Sequence, residues 1–150
     1  MKTFKKLTVV SAFLLSLLLQ TATAQAGGQP QIEVTFAKWV TTFPHMEGDV
    51  GGDIVNPNAF FRGEILSLTP VAVGGQISRI EARYEIIAGD QSFTAIVHGI
   101  FDWRRGKGVM NGVITKDWHE GSQVHVQYDA AVPSPEHGII IVGTITILPN

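Results

Sequence analysis

Cysteine is absent from the 150 residues, and charged side chains make up only 16% of them. Without cysteine there is no disulfide framework, thiol nucleophile, Cys-based zinc site or iron–sulfur centre. Lys+Arg number 11 against Asp+Glu 13, a formal charge of −2, so the basic stripe of a nucleic-acid binder is missing too. No segment after residue 27 sustains a 3.6-residue apolar period, which argues against helices throughout the rest of the chain. Scarce charge does not signal disorder, because 45% of the residues are apolar and disordered chains combine low hydrophobicity with high charge. Length and composition fit one folded domain.

The first 26 residues read as a segment to be removed. Lys2, Lys5 and Lys6 give a positive start, and Leu7 to Leu19 form an apolar run. Ala22-Thr23-Ala24 and Ala24-Gln25-Ala26 then supply two A-x-A cleavage patterns. About a dozen apolar residues fall short of the roughly 20 that cross a bilayer, so a signal peptide is expected instead of a membrane span. Cleavage after Ala24 or Ala26 would place the protein in the periplasm or outside the cell. The expected mature domain, residues 27–150, keeps 8 of the 11 basic residues and all 13 acidic ones, for a net charge of −5.

That domain is expected to be all-β. Strand-like stretches run over 32–40, 50–55, 60–73, 77–88, 92–103, 108–118, 123–132 and 139–148, separated by Gly, Pro, Asn and Asp. Eight short strands at regular spacing point to a sandwich or a barrel. Alternation assigns the faces. Ile80, Ala82, Tyr84 and Ile86 form an inner set, and Arg79, Glu81, Arg83 and Glu85 a solvated outer one. Phe93, Ala95, Val97, Gly99, Phe101 and Trp103 form the inner set of the next strand. Ile139 to Val142 is apolar on both faces, which predicts a covering subunit and hence a homo-oligomer, a dimer or trimer. Glycines within strands mark bulges or sharp bends; with no helix following them they do not form a phosphate cradle.

Candidate chemistry is sparse. Among the five histidines only His119 and His125 lie close in sequence, beside Asp117 and Glu120, and they read as solvated hairpin residues. No metal site and no cofactor is therefore expected. G-x-S-x-G does not occur. General acid–base chemistry in an apolar interior needs one titratable group, for which the candidates are His98, between Ile96 and Ile100, together with Glu64 and Tyr84. Phe36, Trp39, Phe93, Phe101 and Trp103 are the expected ligand-lining residues, within a wider aromatic set that includes Phe61 and Tyr128. Trp39, Phe43, Pro44, His45 and Met46 follow the first strand and suggest a mouth.

Gly106-Lys107-Gly108-Val109-Met110-Asn111-Gly112-Val113 resembles the glycine-rich turn and strand of the allene oxide cyclase-like and dirigent-type barrels. Gly51-Gly52-Asp53-Ile54 and Phe61-Arg62-Gly63-Glu64-Ile65 are similar to the earlier turn and strand of that family, in the same order. The resemblance spans nearly all of the mature chain. It implies a closed eight-stranded antiparallel, calycin-like barrel with a small apolar cavity, frequently trimeric, and an isomerase or cyclase acting on an apolar molecule. The family's functional Glu on the first strand has no counterpart in Val34-Thr35-Phe36-Ala37-Lys38-Trp39, and its pocket cysteine is absent. The resemblance thus extends to the fold and not to the active site.

Together these readings predict an exported barrel that holds a small hydrophobic molecule, with cyclase or isomerase activity as the catalytic version. Two other readings stay open: a lipocalin-like carrier without turnover, and a fully packed barrel that works through its surface.

Overall fold

The computed structural model describes residues 29–150; the expected signal peptide lies outside the described residues. Eight strands follow in order: β1 (Ile32–Thr42), β2 (His45–Gly52), β3 (Phe60–Pro70), β4 (Ile77–Ile87), β5 (Phe93–Asp102), β6 (Lys107–Asp117), β7 (Gln123–Ser134) and β8 (Gly138–Leu148). Each pairs antiparallel with its neighbour in sequence, and β8 closes on β1 through pairs such as Phe36 with Gly143 and Lys38 with Ile141. The result is a closed, all-β, eight-stranded antiparallel barrel. Closure leaves no sheet edge, so every strand is protected from edge-to-edge pairing.

The alternation read from the sequence sets which side chains fill the interior. Val34 and Phe36 of β1, Ile80, Ala82, Tyr84 and Ile86 of β4, and Phe93, Ala95, Val97 and Phe101 of β5 are all buried. Arg79 and Glu81 of β4 are exposed on the outer wall. Strong coiling brings neighbouring backbones close, and only glycine fits at some contacts. A Cβ on Gly99 would run into the Val109 carbonyl oxygen, and one on Gly143 into both the Gln127 carbonyl and the Phe36 ring. Bulges at Val40/Thr42, Ile65/Ser67, Thr94/Ala95 and Tyr128/Ala130 shift the register locally.

One expectation changes. The second strand begins at His45, not Val50, because the turn after β1 takes only Phe43 and Pro44; His45 and Met46 are strand residues. The start of β8 is apolar on both faces, as the sequence reads. Ile139 and Ile141 point to the interior and line a cavity, while Ile140 and Val142 face outward and are half-buried.

The two ends of the barrel differ. At one end the β2–β3, β4–β5 and β6–β7 connections fold inward, where Ile54, Ala88 and Ser122 are buried beside Phe93, Ile114 and Ile147. Gln91 ties two of these connections together, accepting from the Val55 N–H (2.9 Å) and donating to the Asp53 carbonyl (3.1 Å). Asp53 accepts in turn from the Glu33 N–H at 2.8 Å. At the opposite end the connections are short or splayed, and Val40, Phe43, Trp103 and Ile139 stay exposed.

Candidate functional site

β1 enters the interior with Val34, Phe36 and Lys38 on one face, and the same period of two that buries the first two residues buries the lysine. Lys38 is 3% exposed, and among the described residues it has no carboxylate partner. Its Nζ donates to the Tyr84 hydroxyl at 2.5 Å and the Tyr128 hydroxyl at 3.1 Å. The two phenols hydrogen-bond each other, and both reach the Met110 sulfur, Tyr128 at 3.3 Å and Tyr84 at 3.8 Å. Four strands contribute, since Lys38 lies on β1, Tyr84 on β4, Met110 on β6 and Tyr128 on β7.

Aromatic rings surround this polar knot. Nζ lies 4.3 Å from the Tyr84 ring centroid, 4.7 Å from Tyr128, 5.3 Å from Phe61 and 5.5 Å from Phe36. Phe61 packs edge-on against Tyr84 at 4.9 Å, and Phe101 edge-on against Tyr128 at 5.3 Å.

Burial pushes the Lys38 ammonium well below the usual lysine range. The ring faces oppose this, because they attract a cation, by about 2 kcal/mol or somewhat more when desolvated. Taking an ammonium out of water without a counter-ion costs several kcal/mol, so the neutral amine wins. Donor counting agrees. A neutral amine has two N–H donors, and the two phenol oxygens take both; a third N–H of an ammonium would find no further acceptor among the described residues. Burial raises the hydroxyl pKa of Tyr84 well above its usual value, with Tyr128 adding to the effect, and raises that of Tyr128 despite its bond to Tyr84. The site therefore brings one amine with a lowered pKa together with two protonated phenols.

Through Lys38 this knot borders a cavity at the open end. A volume of about 290 Å³ is lined by Lys38, Trp39, Val40, Met46, Phe101 and Trp103, with Ala131, His137, Ile139 and Ile141 completing the wall. A smaller volume of about 50 Å³ extends inward past Ile65, Ile80 and Ala82 to Tyr84 and Tyr128. At the rim the Trp39 and His137 rings stack at 4.0 Å, and the Trp103 indole N–H donates to Ser78 Oγ at 2.9 Å.

The structure separates the residues singled out from the sequence into distinct places. Tyr84, Phe101, Trp103 and Trp39 converge on the cavity, and Phe36 packs against the Lys38 amine one layer deeper. Phe93 sits at the closed end, 6.3 Å from the Trp118 ring, away from the cavity. His98 faces outward, because β5 turns its odd-numbered residues inward; it is exposed in a shallow depression beside Arg79 and Glu81. Glu64 also lies on the outer side of its strand, paired with Arg83. His125 bonds Asn111 at 2.8 Å on the outside, and His119 occupies the β6–β7 turn.

Lys38 and Met110 are the functional candidates that the sequence reading passed over. The signal for Lys38 was present: Ile32, Val34, Phe36, Lys38 and Val40 alternate on one apolar face, and a lysine there has to be buried or end the strand. No protein-family model, curated protein or solved structure matches this chain.

Proposed function

We propose that the barrel holds a small apolar molecule at its open end, with a polar atom of that molecule turned toward Lys38, Tyr84 and Tyr128. The observation that carries this reading is the apolar cavity of about 290 Å³ with the buried Lys38 in its wall, beside a volume of about 50 Å³ that reaches Tyr84 and Tyr128. Pockets of this type combine apolar walls with a few polar groups that fix orientation. At roughly 30 Å³ per water-sized unit, the cavity takes a ligand of on the order of ten non-hydrogen atoms.

The wider proposal is an exported protein, kin to the allene oxide cyclase-like barrels, in which cyclisation or isomerisation would follow from holding a flexible apolar molecule in one conformation away from water. The closed eight-stranded antiparallel barrel supports this kinship. Homo-oligomerisation belongs to the same proposal, supported by the apolar outer face of Ile140 and Val142 on β8 and by the exposed pair of Ile100 and Val109 on β5 and β6.

Decanol serves as a test ligand. Trp39 and Trp103 line the cavity and Trp118 lies at the closed end, so binding should change the emission of the first two. Saturable decanol binding, abolished in Val40→Trp, supports the reading; emission unchanged up to the solubility limit rejects it. Light scattering tests the oligomer, which a monomer at micromolar concentration would rule out.

A further inference from the structure

We propose that Lys38 is an imine-forming lysine, and that the molecule held in the cavity is an apolar aldehyde or ketone bound covalently through it. This rests on the reading of the open end as a small-molecule site and specifies its ligand chemistry.

Three observations on different parts of the site converge on it. Lys38 lines both the 290 Å³ volume and its inner extension, and its amine bonds the two tyrosines that line the extension. Its nitrogen hydrogen-bonds the Tyr84 and Tyr128 hydroxyls, and among the described residues it has no carboxylate to hold it as an ammonium. The walls around it are apolar: Val40, Met46, Phe101, Trp103 and Ile141 border both volumes, and a non-reacting amine would gain nothing from such a setting. A lysine kept neutral in an apolar pocket is the usual preparation for attack on a carbonyl.

The step balances within the site. The Nζ lone pair attacks the carbonyl carbon and forms a C–N bond, while the carbonyl oxygen takes a proton from one of the phenols. The nitrogen returns a proton to that phenolate, giving a neutral carbinolamine. A phenol then donates a proton to its hydroxyl, the C–O bond breaks and water leaves as the nitrogen lone pair closes the C=N bond, and the iminium N–H returns its proton to that phenolate. Amine and carbonyl become imine and water, with no oxidant, reductant or metal required. Tyr84 and Tyr128 are suited to relay these protons, because each touches the amine and they touch each other. Both phenols remain protonated well above neutral pH.

The test is reductive trapping on the wild-type protein. Decanal and cyanoborohydride are added at pH 7, and the modified lysines are mapped by peptide mass spectrometry. Lys107 and Lys116 are the internal standards, since both are exposed on β6. An exposed lysine is neutral in only about 0.04% of molecules at pH 7, so Lys38 should be alkylated at least about tenfold faster than either even after a penalty for access. Excess decanol should slow the reaction at Lys38 and leave Lys107 and Lys116 unaffected. Lys38→Arg should lose the fast phase. Decanol binding with alkylation confined to Lys107, Lys116 and the terminal amine overturns the inference and leaves the binding reading intact. Absence of decanol binding together with absence of Lys38 alkylation overturns both.

Discussion

The closed end and the open end of the barrel are made from the same eight strands, yet one is filled with side chains and the other is not. At the closed end three connections fold inward, Gln91 and Asp53 lock them to backbone groups, and Phe93, Ile114 and Ile147 pack with almost no exposure. At the open end the wall residues are of similar apolar character, but they surround a cavity of about 290 Å³, and Trp103 and Ile139 remain about half exposed. Apolar composition therefore does not distinguish a core from a pocket here. What distinguishes them is whether the loops bring side chains over the end of the barrel. The buried amine and both buried phenols border the inner volume that leads to the open end.

Five substitutions break or sharpen this contrast. The largest effect belongs to the closed end. Phe93→Ala should cost about 3–5 kcal/mol in urea unfolding, because the void it leaves is enclosed, whereas Ile139→Ala at the rim should stay below about 1 kcal/mol. Equal costs would mean that the two ends pack alike.

Next in size is the amine itself. The folded-state pKa of Lys38 is depressed, so over the window between that value and the ordinary lysine pKa near 10.4 the unfolded chain carries a proton the native chain lacks. Wild-type stability contributed by this group thus rises with pH, by about 1.4 kcal/mol per unit. Lys38→Met, which has nothing to protonate, should be more stable than wild type at pH 8 and lose that advantage at this rate as pH approaches 10. Denaturation at pH 8, 9 and 10 provides the check, and a constant difference would show that Lys38 titrates like an exposed lysine.

Val40→Trp places an indole at the rim of both cavity volumes, where the present side chain is about half exposed. Decanol affinity should fall at least tenfold, about 1.4 kcal/mol, with the unfolding midpoint nearly unchanged. A proportionate loss of stability would point to damage to the fold instead of an occupied cavity. The smallest effect is expected at the latch: Gln91→Ala removes two side-chain-to-backbone bonds and should cost about 1–2 kcal/mol without altering decanol affinity. A changed affinity there would show that the two ends communicate.

Much of the architecture was legible in the residue pattern. Period-two alternation from Ile77 to Ile87 and from Phe93 to Phe101 assigned inner and outer faces correctly, because a one-residue error would have exposed every apolar side chain in each strand. The site was legible only in part. Tyr84, Phe101, Trp103 and Trp39 were named, while Phe93 belongs to the same inner face as Phe101 but lies at the opposite end of the strand. Position along the barrel axis depends on strand tilt and stagger, which alternation does not encode. His98 was placed by its apolar neighbours Ile96 and Ile100, and these lie on the outer wall with it.

The sequence by itself determined that the described chain would be strands, how many, and which side chains would face inward, because alternation and turn residues act locally. It also determined that a lysine would stand on an apolar face of β1. The tertiary structure alone decided what that lysine meets. Tyr84, Met110 and Tyr128 come from positions 46, 72 and 90 residues further along, and only barrel closure brings their hydroxyls and sulfur together around the amine. Closure likewise decided that one end is plugged and the other open, since the inward course of a loop depends on the backbone groups waiting for it across the barrel.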